Sequence, residues 1–360
     1  MDTNCSQPQN CSCHITAGND HKSHKEFHAE LVKNAPYLAL AFYHLSDIAD
    51  AKKEVAEQKE FLSQLDARAR IYISSQGING QMSMSQKDAH VYMDWLAKRP
   101  AFEGVEFKLQ PLHEHIFPRL TVKYKKELVA LGIDVSIKSE DRGNYMTPEE
   151  WRKELDSASD KVIIDVRNDY EWKLGHFDGA ELWECKTFKD FIASVDGLKK
   201  RIDTSKTKIL MYCTGGIRCE IYSALLKKEG VDNIFQLHGG VIRYGEEESS
   251  KHWLGKLFVF DDRLAVDVSE DEPAPVIGTC HHCGKSSETY YNCANMDCNE
   301  LFMCCPDCLE KFKGCCQESC EHAERVRPYQ FSHKPFRKWY HYAKTKEELS
   351  TLGSCARKGE

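Results

Sequence analysis

Residues 208–230 read KILMYCTGGIRCEIYSALLKKEG, and this stretch decides the fold of the middle of the chain. The apolar run KILMY is typical of a buried β-strand, and it ends at Cys213. Gly215 and Gly216 permit a tight turn, and the segment after them has the spacing of a helix. The sequence therefore predicts a strand, a loop and a helix, with loop N–H groups and the helix N-terminus directed at the Cys213 thiol.

The same loop indicates chemistry at its cysteine. A cradle of N–H groups lowers a thiol pKa below its usual ~8.5 and stabilises a thiolate, a persulfide or a bound oxyanion, to which Arg218 can add hydrogen bonds. The alternative, a cysteine that is only a small buried apolar side chain, does not account for the turn, the arginine and the helix together. Cys219 is expected to be structural, with a resolving thiol as its alternative. The predicted active-site loop comprises Cys213, Thr214, Gly215, Gly216, Ile217 and Arg218.

Residues 145–255 surround this loop with alternating helical and β-rich segments. Strands separated by helices predict a parallel, doubly wound α/β sheet, whose ligand sites lie at the carboxyl ends of the strands. One helix start is clear at Thr147-Pro148-Glu149-Glu150, where a hydroxyl N-cap precedes a proline and two acids. We therefore assign this range to one domain.

The N-terminal third has a different order of elements. The segments PYLALAFYHL, ARIYIS, INGQMSMS and VEFKLQPL read as strands, and two segments with helical spacing lie between them. The order βαββαβ predicts a ferredoxin-like α+β domain over residues 35–135. Residues 1–34 are polar, rich in histidine and without period, which is typical of a disordered tail.

Cysteine density rises after an acidic connector at residues 256–278. Two C-x2-C pairs have the spacing of zinc knuckles, because two intervening residues let both thiolates reach one ion. A C-x4-C pair and later cysteines, with Cys315 or Cys316 among them, can form a second site. We predict structural zinc in a module over residues 279–322, with free thiols or an iron–sulfur cluster as alternatives. The predicted ligands are Cys280, Cys283, Cys305 and Cys308 in one set and Cys293, Cys298, Cys316 and Cys320 in the other.

The composition limits the class of protein. The chain has 360 residues and a net charge of −7, which excludes a uniformly basic protein that coats nucleic acid. No stretch approaches the roughly 20 apolar residues that cross a bilayer, and the N-terminus does not resemble a secretory signal. Seventeen cysteines in such a chain indicate metal ligation or thiol chemistry, so we expect a cytoplasmic protein that does not bind membranes.

Basic residues nevertheless cluster at two places. One cluster lies at residues 108–126, and the other lies in a tail over residues 323–360, where aromatic side chains alternate with cations. Cations for phosphates beside rings for unstacked bases suit a single-stranded RNA loop. The alternative is that the rings pack on the Cys-rich module and the cations are solvated. The candidate nucleic-acid-binding residues are Arg119, Lys123, Lys125, Lys126, Arg337 and Lys338.

The loop CTGGIR resembles the active-site loop of the rhodaneses, and three further motifs agree with that resemblance. They are Asp165-Val166-Arg167, GHFDGA at residues 175–180 and LHGGV at residues 237–241. The resemblance implies a rhodanese domain in which Asp165 and Arg167 support the loop and the sheet edge.

The whole series of motifs, over about residues 35–320, is similar to that of the tRNA uridine hydroxylase family. Besides the loop it includes SSQGINGQMS, HEHIFPRLTVKYKKELV, DVRNDYEW and FVFDDRLAV. The resemblance implies oxidation of the wobble uridine of tRNA to 5-hydroxyuridine, with molecular oxygen as co-substrate and the anticodon loop as the part of tRNA that is bound. It also implies that Cys213 is essential, drawn as a persulfide by analogy with rhodaneses.

The residues alone leave two other functions open. One is a sulfurtransferase that carries sulfur as a Cys213 persulfide, and the other is a non-catalytic scaffold that binds RNA or protein. The chain has no GxGxxG fingerprint, so neither a flavin nor a nicotinamide cofactor is expected. The sequence does not indicate an oligomeric state.

Overall fold

The computed structural model describes residues 23–129, 141–184, 188–269, 274–330 and Phe336. Its first region is an α+β domain, and side-chain caps such as Asp50 and Ser85 begin its helices. The elements are α1 (His24–Asn34), β1 (Tyr37–Leu45), α2 (Ala51–Leu62), β2 (Ala67–Ser74), β3 (Gly77–Ser85), α3 (Gln86–Ala97), a 3₁₀ turn (Pro100–Phe102), β4 (Glu106–Leu112) and β5 (Leu120–Tyr124).

The N-terminal sheet has the strand order β4-β1-β3-β2-β5, with β5 parallel to β2 and the other pairs antiparallel. Helices α2 and α3 enclose an apolar core against the sheet, which confirms the ferredoxin-like prediction. Because side chains alternate along a strand, polar residues collect on the opposite, open face. One row of neighbours across four strands on this face consists of Lys108, Ala41, Gln81 and Arg70.

Helix α1 contradicts the prediction that residues 1–34 are a disordered tail. It begins at a capping box, and no residue of it is fully buried. His24 Nε2 donates to the Gly245 carbonyl at 2.7 Å, and His28 Nε2 donates to a carbonyl of β4 at 2.8 Å. These polar contacts, together with the packing of Val32 on the domain core, hold the helix in place. Residues 1–22 lie outside the described residues.

The central region is a parallel, doubly wound α/β domain, as predicted. Its elements are β6 (Asn144–Met146), α4 (Pro148–Asp156), β7 (Lys161–Asp165), α5 (Asp169–Trp172), β8 (Gly175–Phe177), β9 (Glu181–Leu182), α6 (Phe188–Arg201), β10 (Lys208–Tyr212), α7 (Ile217–Lys228), β11 (Ile234–Leu237), α8 (Gly240–Glu248) and β12 (Trp253–Gly255). The sheet has the order β6-β11-β10-β7-β9, and every neighbouring pair is parallel. One apolar core lies between the sheet and α6 with α7, and another lies between the sheet and α4 with α8.

The segment predicted as a connector, residues 256–278, packs against the domain where it is described. It forms a hairpin of β13 (Leu257–Phe258) and β14 (Ala265–Val266), and the side chains of β13 are buried. The apolar run LFVF explains this, because burying these side chains favours packing over a free linker despite the acids that follow.

The Cys-rich module contains β15 (Tyr290–Asn292), β16 (Leu301–Met303), α9 (Pro306–Lys311) and α10 (Glu318–Glu321). Buried cysteines make up most of its core. The Tyr290 hydroxyl donates to the Tyr170 carbonyl at 2.7 Å, which joins the module to α5 of the central domain. Among the helices of the described residues, none combines the length and the apolar character needed to span a bilayer.

Candidate active site

Cys213 follows β10 directly, at the carboxyl edge of the parallel sheet. Its side chain is buried, and its Sγ accepts a hydrogen bond from the Gly216 amide at 3.1 Å. Gly216 is the N-cap of α7 and has φ of +104°, a conformation that side chains with a Cβ rarely adopt. The strand, loop and helix predicted from residues 208–230 are therefore present, and the helix N-terminus lies at the sulfur.

The Cys213 thiol is poised as a thiolate. Burial raises its pKa, but hydrogen bonds from Cys219 and Gly216 and the positive charge of Arg218 outweigh burial and lower the pKa to about 5. Burial, and the hydrogen bond that its thiol donates to Cys213, raise the pKa of Cys219 well above its usual value. At neutral pH the Cys213 sulfur is therefore expected to be anionic, and the neutral Cys219 thiol donates a hydrogen bond to it.

The Arg218 guanidinium is held by a carboxylate, whereas the sequence suggested that it would face a bound anion. It pairs in a bidentate manner with Glu171 of α5, with Nη2 2.8 Å from Oε1, and also donates to the Thr214 hydroxyl at 3.2 Å. Burial raises the pKa of the Glu171 carboxyl, but the charge of Arg218 outweighs it and lowers the pKa. Glu171 was not among the residues predicted from the sequence, and its signal there is the capping box Asn168-x-x-Glu171.

Asp165 and Arg167 lie beneath the loop and are buried. The Arg167 Nη2 atom is 2.6 Å from the Asp165 Oδ2 atom and donates to the Gly175 carbonyl at 2.5 Å. The Tyr212 hydroxyl donates to the same Asp165 oxygen at 2.7 Å. These contacts join the ends of β7 and β10 to β8, which is the geometry expected of supporting residues.

The LHGGV motif forms the start of α8 and holds the loop from its other side. The amides of Val241 and Ile242 donate to the carbonyls of Cys213 and Thr214 at 3.0 and 3.1 Å. Gly240 has φ of +68°, and a Cβ there would lie 2.6 Å from the Cys213 carbonyl oxygen. Only glycine allows this close approach of two backbones.

A cavity of about 400 Å³ separates the Cys213 loop from the open face of the N-terminal sheet. This volume is within the range of small-molecule sites, about 300–1,000 Å³. One wall is the loop, and the other is the sheet face, whose proximity to the loop was not predicted from the sequence. The polar residues of the sheet that line the cavity are Tyr43, Arg70, Tyr72, Asn79, Gln81 and Lys108.

Glu220 of α7 fastens the two walls together. It accepts hydrogen bonds from the hydroxyls of Tyr43, at 2.7 Å, and Tyr145, at 3.0 Å. The Arg142 Nε atom lies 3.6 Å from its carboxylate. The N-terminal sheet is thus held at a defined position over the loop.

Four of the six candidate nucleic-acid-binding residues lie on or beside the edge strand β5, and all four are exposed. The Lys125 Nζ atom lies 5.1 Å from the centre of the Tyr72 ring, and that ring lines the cavity. The cationic edge therefore adjoins the cavity. The four are Arg119, Lys123, Lys125 and Lys126, whereas Arg337 and Lys338 lie outside the described residues.

Part of the basic and aromatic tail packs on the Cys-rich module. Arg325 pairs with Asp297 at 2.6 Å. Arg327 donates to the Cys293 carbonyl at 2.8 Å and lies 4.5 Å from the centre of the Phe336 ring. Two cations of the tail thus have structural contacts within the module.

Eight cysteines of the module form two compact tetrads. In each tetrad the four Sγ atoms lie within 4.8 Å of one another. The Cys283–Cys305 and Cys298–Cys316 sulfur pairs are 3.7 and 3.6 Å apart, close to the ~3.8 Å edge of a tetrahedron with Zn–S bonds of ~2.3 Å. The donor set therefore fits zinc. The tetrads are Cys280, Cys283, Cys305 and Cys308, and Cys293, Cys298, Cys316 and Cys320.

Models of known families match three parts of the chain. A UPF0176 acylphosphatase like domain matches residues 37–128, a rhodanese-like domain matches residues 147–247, and a rhodanase C-terminal region matches residues 254–321. Together they cover the N-terminal sheet, the loop domain and the Cys-rich module.

The chain is 53% identical over 316 residues to a tRNA uridine(34) hydroxylase of Protochlamydia amoebophila, covering 87% of this chain and 98% of that protein. It is 48% identical over 322 residues to a protein of the same name from Chlamydia abortus, covering 89% and 98%. Among solved structures, a thiosulfate sulfurtransferase of Pseudomonas aeruginosa is 20% identical with a TM-score of 0.26, over 30% of this chain and 20% of that one. The identity of 53% and 48% to these two hydroxylases, over most of the length of both chains, shows that the chain belongs to the tRNA uridine(34) hydroxylase family.

Proposed function

We propose that this protein hydroxylates C5 of the wobble uridine of tRNA, with molecular oxygen as co-substrate and Cys213 as an essential residue. The observation that carries the proposal is the position of Cys213, whose sulfur accepts a hydrogen bond from the Gly216 amide and lines a cavity between two domains. The lowered pKa of this thiol supports the same role. Relatives that match this chain over 98% of their own length are named tRNA uridine(34) hydroxylase. A non-catalytic scaffold would not need an ionised sulfur in such a cavity.

The thiolate supplies the nucleophile. Cys213 Sγ adds to C6 of the uracil ring, the S–C6 bond forms, and the C5=C6 π electrons move towards C5 and O4. The resulting enolate is electron-rich at C5 and reacts with oxygen there. The overall hydroxylation consumes one O2, two protons and two electrons from an external thiol reductant, places one oxygen atom on C5 and releases the other as water. Loss of the C5 proton then expels the Cys213 thiolate and restores the C5=C6 bond. The Glu171–Arg218 pair and the Gly216 amide keep the sulfur ionised before the addition.

The cationic edge beside the cavity is proposed to bind the phosphates of the anticodon loop. Lys123, Lys125 and Lys126 are exposed there, and Tyr72 offers a ring for an unstacked base. A wobble uridine in a single-stranded loop can enter the cavity at a lower cost than a paired base. We place this reaction in the cytoplasm, where tRNA is available to it.

Zinc in the two cysteine tetrads is proposed to be structural. Four thiolates per ion leave no open position for a substrate. The ions would supply folding stability to the module that the Tyr290–Tyr170 contact joins to α5, the helix that carries Glu171.

The proposal is tested in cells that lack the gene. We expect 5-hydroxyuridine and nucleosides derived from it to be lost from tRNA, restored by the wild-type gene and not restored by Cys213→Ala, because the nucleophile is missing. Mass spectrometry of tRNA nucleosides measures this. Cys304→Ala is the matched control, since Cys304 is also buried but lies outside the cavity and both tetrads. Restoration by Cys213→Ala would contradict the role of the sulfur.

A sulfurtransferase is the second candidate, and the loop itself favours it. An anionic, amide-bound sulfur can equally accept sulfane sulfur and hold it as a persulfide. A thiosulfate-to-cyanide assay distinguishes the two functions. Strong turnover that depends on Cys213, with tRNA nucleosides unchanged in the deletion strain, would favour the sulfurtransferase.

A further inference from the structure

Lys108 is a buried lysine on the open face of the N-terminal sheet. Only 4% of it is exposed, and among the described residues no hydrogen bond or ion pair to its ammonium is found. Its Nζ atom lies 5.0 Å from the centre of the Tyr43 ring, which is a cation–π contact. A buried cation without a paired anion is costly, so a protein that retains one commonly uses it to bind an anion.

The position of Lys108 identifies where that anion would lie. Lys108 pairs with Ala41 in the sheet and lines the same cavity as Cys213, which belongs to the opposite wall. A uracil ring in this cavity can meet the sulfur with its face at C6 and direct its O4 edge at the ammonium on the sheet side. The cavity therefore places a nucleophile and a cation on the same substrate.

The charged groups around Lys108 do not neutralise it directly. Glu106, on its own strand, pairs with Arg243 of α8 at 2.7 Å and with His238 at 3.3 Å. Glu246, also of α8, lies against His28 at 3.9 Å, and burial raises the pKa of its carboxyl to about 8. At neutral pH that carboxyl is largely protonated. The Cys213 thiolate is then the negatively charged group that shares the cavity with Lys108.

We propose that Lys108 is a catalytic residue whose ammonium donates a hydrogen bond to O4 of the uracil ring as Cys213 adds to C6. The inference rests on the proposed function, of which it specifies one step. The S–C6 bond forms, the C5=C6 π bond breaks, and its electron pair becomes an enolate whose charge lies on O4. No atom leaves and no oxidant is needed at this step. A cation aimed at the developing oxyanion stabilises it more than it stabilises the ground-state carbonyl.

This step has a consequence that does not require oxygen. The enolate can take a proton from solvent at C5. Loss of the original C5 hydrogen as a proton then expels the thiolate from C6 and restores uridine with its C5 hydrogen exchanged. Tritium at C5 of the wobble uridine would therefore be released into water under anaerobic conditions. Its release measures thiolate addition and enolate formation alone.

The experiment uses full-length enzyme and an anticodon stem-loop RNA that carries [5-³H]uridine at the wobble position. We expect Lys108→Gln to reduce both anaerobic tritium release and kcat for 5-hydroxyuridine formation about 100-fold, the usual effect of removing one oxyanion donor, with little change in KM. Lys108→Arg should restore part of both rates because it keeps the cation. Lys98→Gln, at an exposed lysine of the same domain, is the matched control and should behave as wild type.

A pH profile separates this role from a structural one. Burial and the charge of Arg243 lower the pKa of Lys108 to about 8, although Glu246, Cys213 and Glu106 oppose this shift. Since the ammonium is the active form, wild-type tritium release should fall as the pH rises through about 8. Lys108→Arg should lack this alkaline limb because guanidinium stays protonated.

The outcomes are separable. Wild-type enzyme that forms no 5-hydroxyuridine would overturn the proposed function. An active wild type that releases no tritium would overturn the addition of Cys213 to C6, and with it the role of Lys108, while the hydroxylation itself would stand. A Lys108→Gln variant with wild-type release and kcat would overturn only the role of Lys108. If tritium release by Lys108→Arg fell above pH 8 as it does in the wild type, the role of Lys108 would also be overturned. This result would be decisive even if Lys108→Gln failed to fold.

Discussion

At Cys213, burial and hydrogen bonding act on the same thiol in opposite directions. A buried cysteine without donors would stay protonated and unreactive. Here the Gly216 amide, the Cys219 thiol and the Arg218 charge together reverse the effect of burial and hold the pKa near 5. The lowered pKa therefore favours the anionic sulfur although the side chain is buried.

Cys219 is predicted to set the ionisation of Cys213 by donating its S–H. Cys219→Ala should raise the pKa of Cys213 by about one unit or more, because a donor to the thiolate is lost. The measurement is the pH dependence of iodoacetamide labelling, read by mass spectrometry of the tryptic peptide 209–218. Cys219→Ser keeps a donor and serves as the control. Equal midpoints for wild type and Cys219→Ala would exclude this role.

At the scale of elements, the active loop is held from three sides. The start of α8 binds its carbonyls, α5 holds Arg218 through Glu171, and α7 places its N-terminus at the sulfur. Three independent restraints keep the loop in one conformation, so its amides need no rearrangement when a reactant arrives.

The Glu171–Arg218 pair is predicted to contribute strongly to stability. Glu171→Gln removes one charge of a buried pair and should lower the free energy of unfolding by about 3 kcal/mol, because Arg218 is left uncompensated. Denaturant unfolding measures this. Since the folded-state pKa of Glu171 lies below its unfolded value, the contribution is present at neutral pH and is lost as the pH falls through that folded pKa.

The matched control for this pair is Glu149→Gln. Glu149 pairs with Lys153 in the same domain, but both side chains are 61% exposed. Exposed pairs are screened by water, so this variant should unfold like wild type. If the two variants lose the same stability, burial of the Glu171 pair does not explain its effect.

At the scale of the whole molecule, the site exists only because the domains pack together. The ferredoxin-like sheet has helices on one face alone, and its open face becomes the second wall of the cavity. The Tyr43–Glu220 hydrogen bond joins this sheet to the central domain. The Tyr290–Tyr170 hydrogen bond joins the Cys-rich module to the same central domain.

The Cys-rich module is predicted to bind two zinc ions per chain, one in each tetrad. Cys305→Ala should reduce the metal content from about two ions to about one, because three thiolates bind zinc more weakly than four. Elemental analysis of the purified protein measures this. Cys304→Ala, at the neighbouring buried cysteine outside both tetrads, should keep two ions. Equal metal content in the two variants would contradict the assigned ligands.

Much of the fold and of the reactive loop could be predicted from local patterns. The Cys213 loop is a run of a few residues between a strand and a helix, and most cysteines of the two tetrads lie in short C-x2-C and C-x4-C spacings. Helix α1 was missed because polar contacts, rather than an apolar stripe, hold it in place. Glu171 was missed because its partner Arg218 lies far along the chain, although both were in quoted motifs.

The amino-acid order alone was enough to predict the fold class, the strand, loop and helix around Cys213, and the two groups of cysteines that the structure brings together. These depend on neighbours in the chain, whose backbone preferences and spacings act over a few residues. Tertiary structure alone decided that Glu171 holds Arg218 and that Lys108 faces Cys213 across a cavity. Such relations depend on strand register and on how domains pack, which are set by the sum of many distant contacts and not by any short motif.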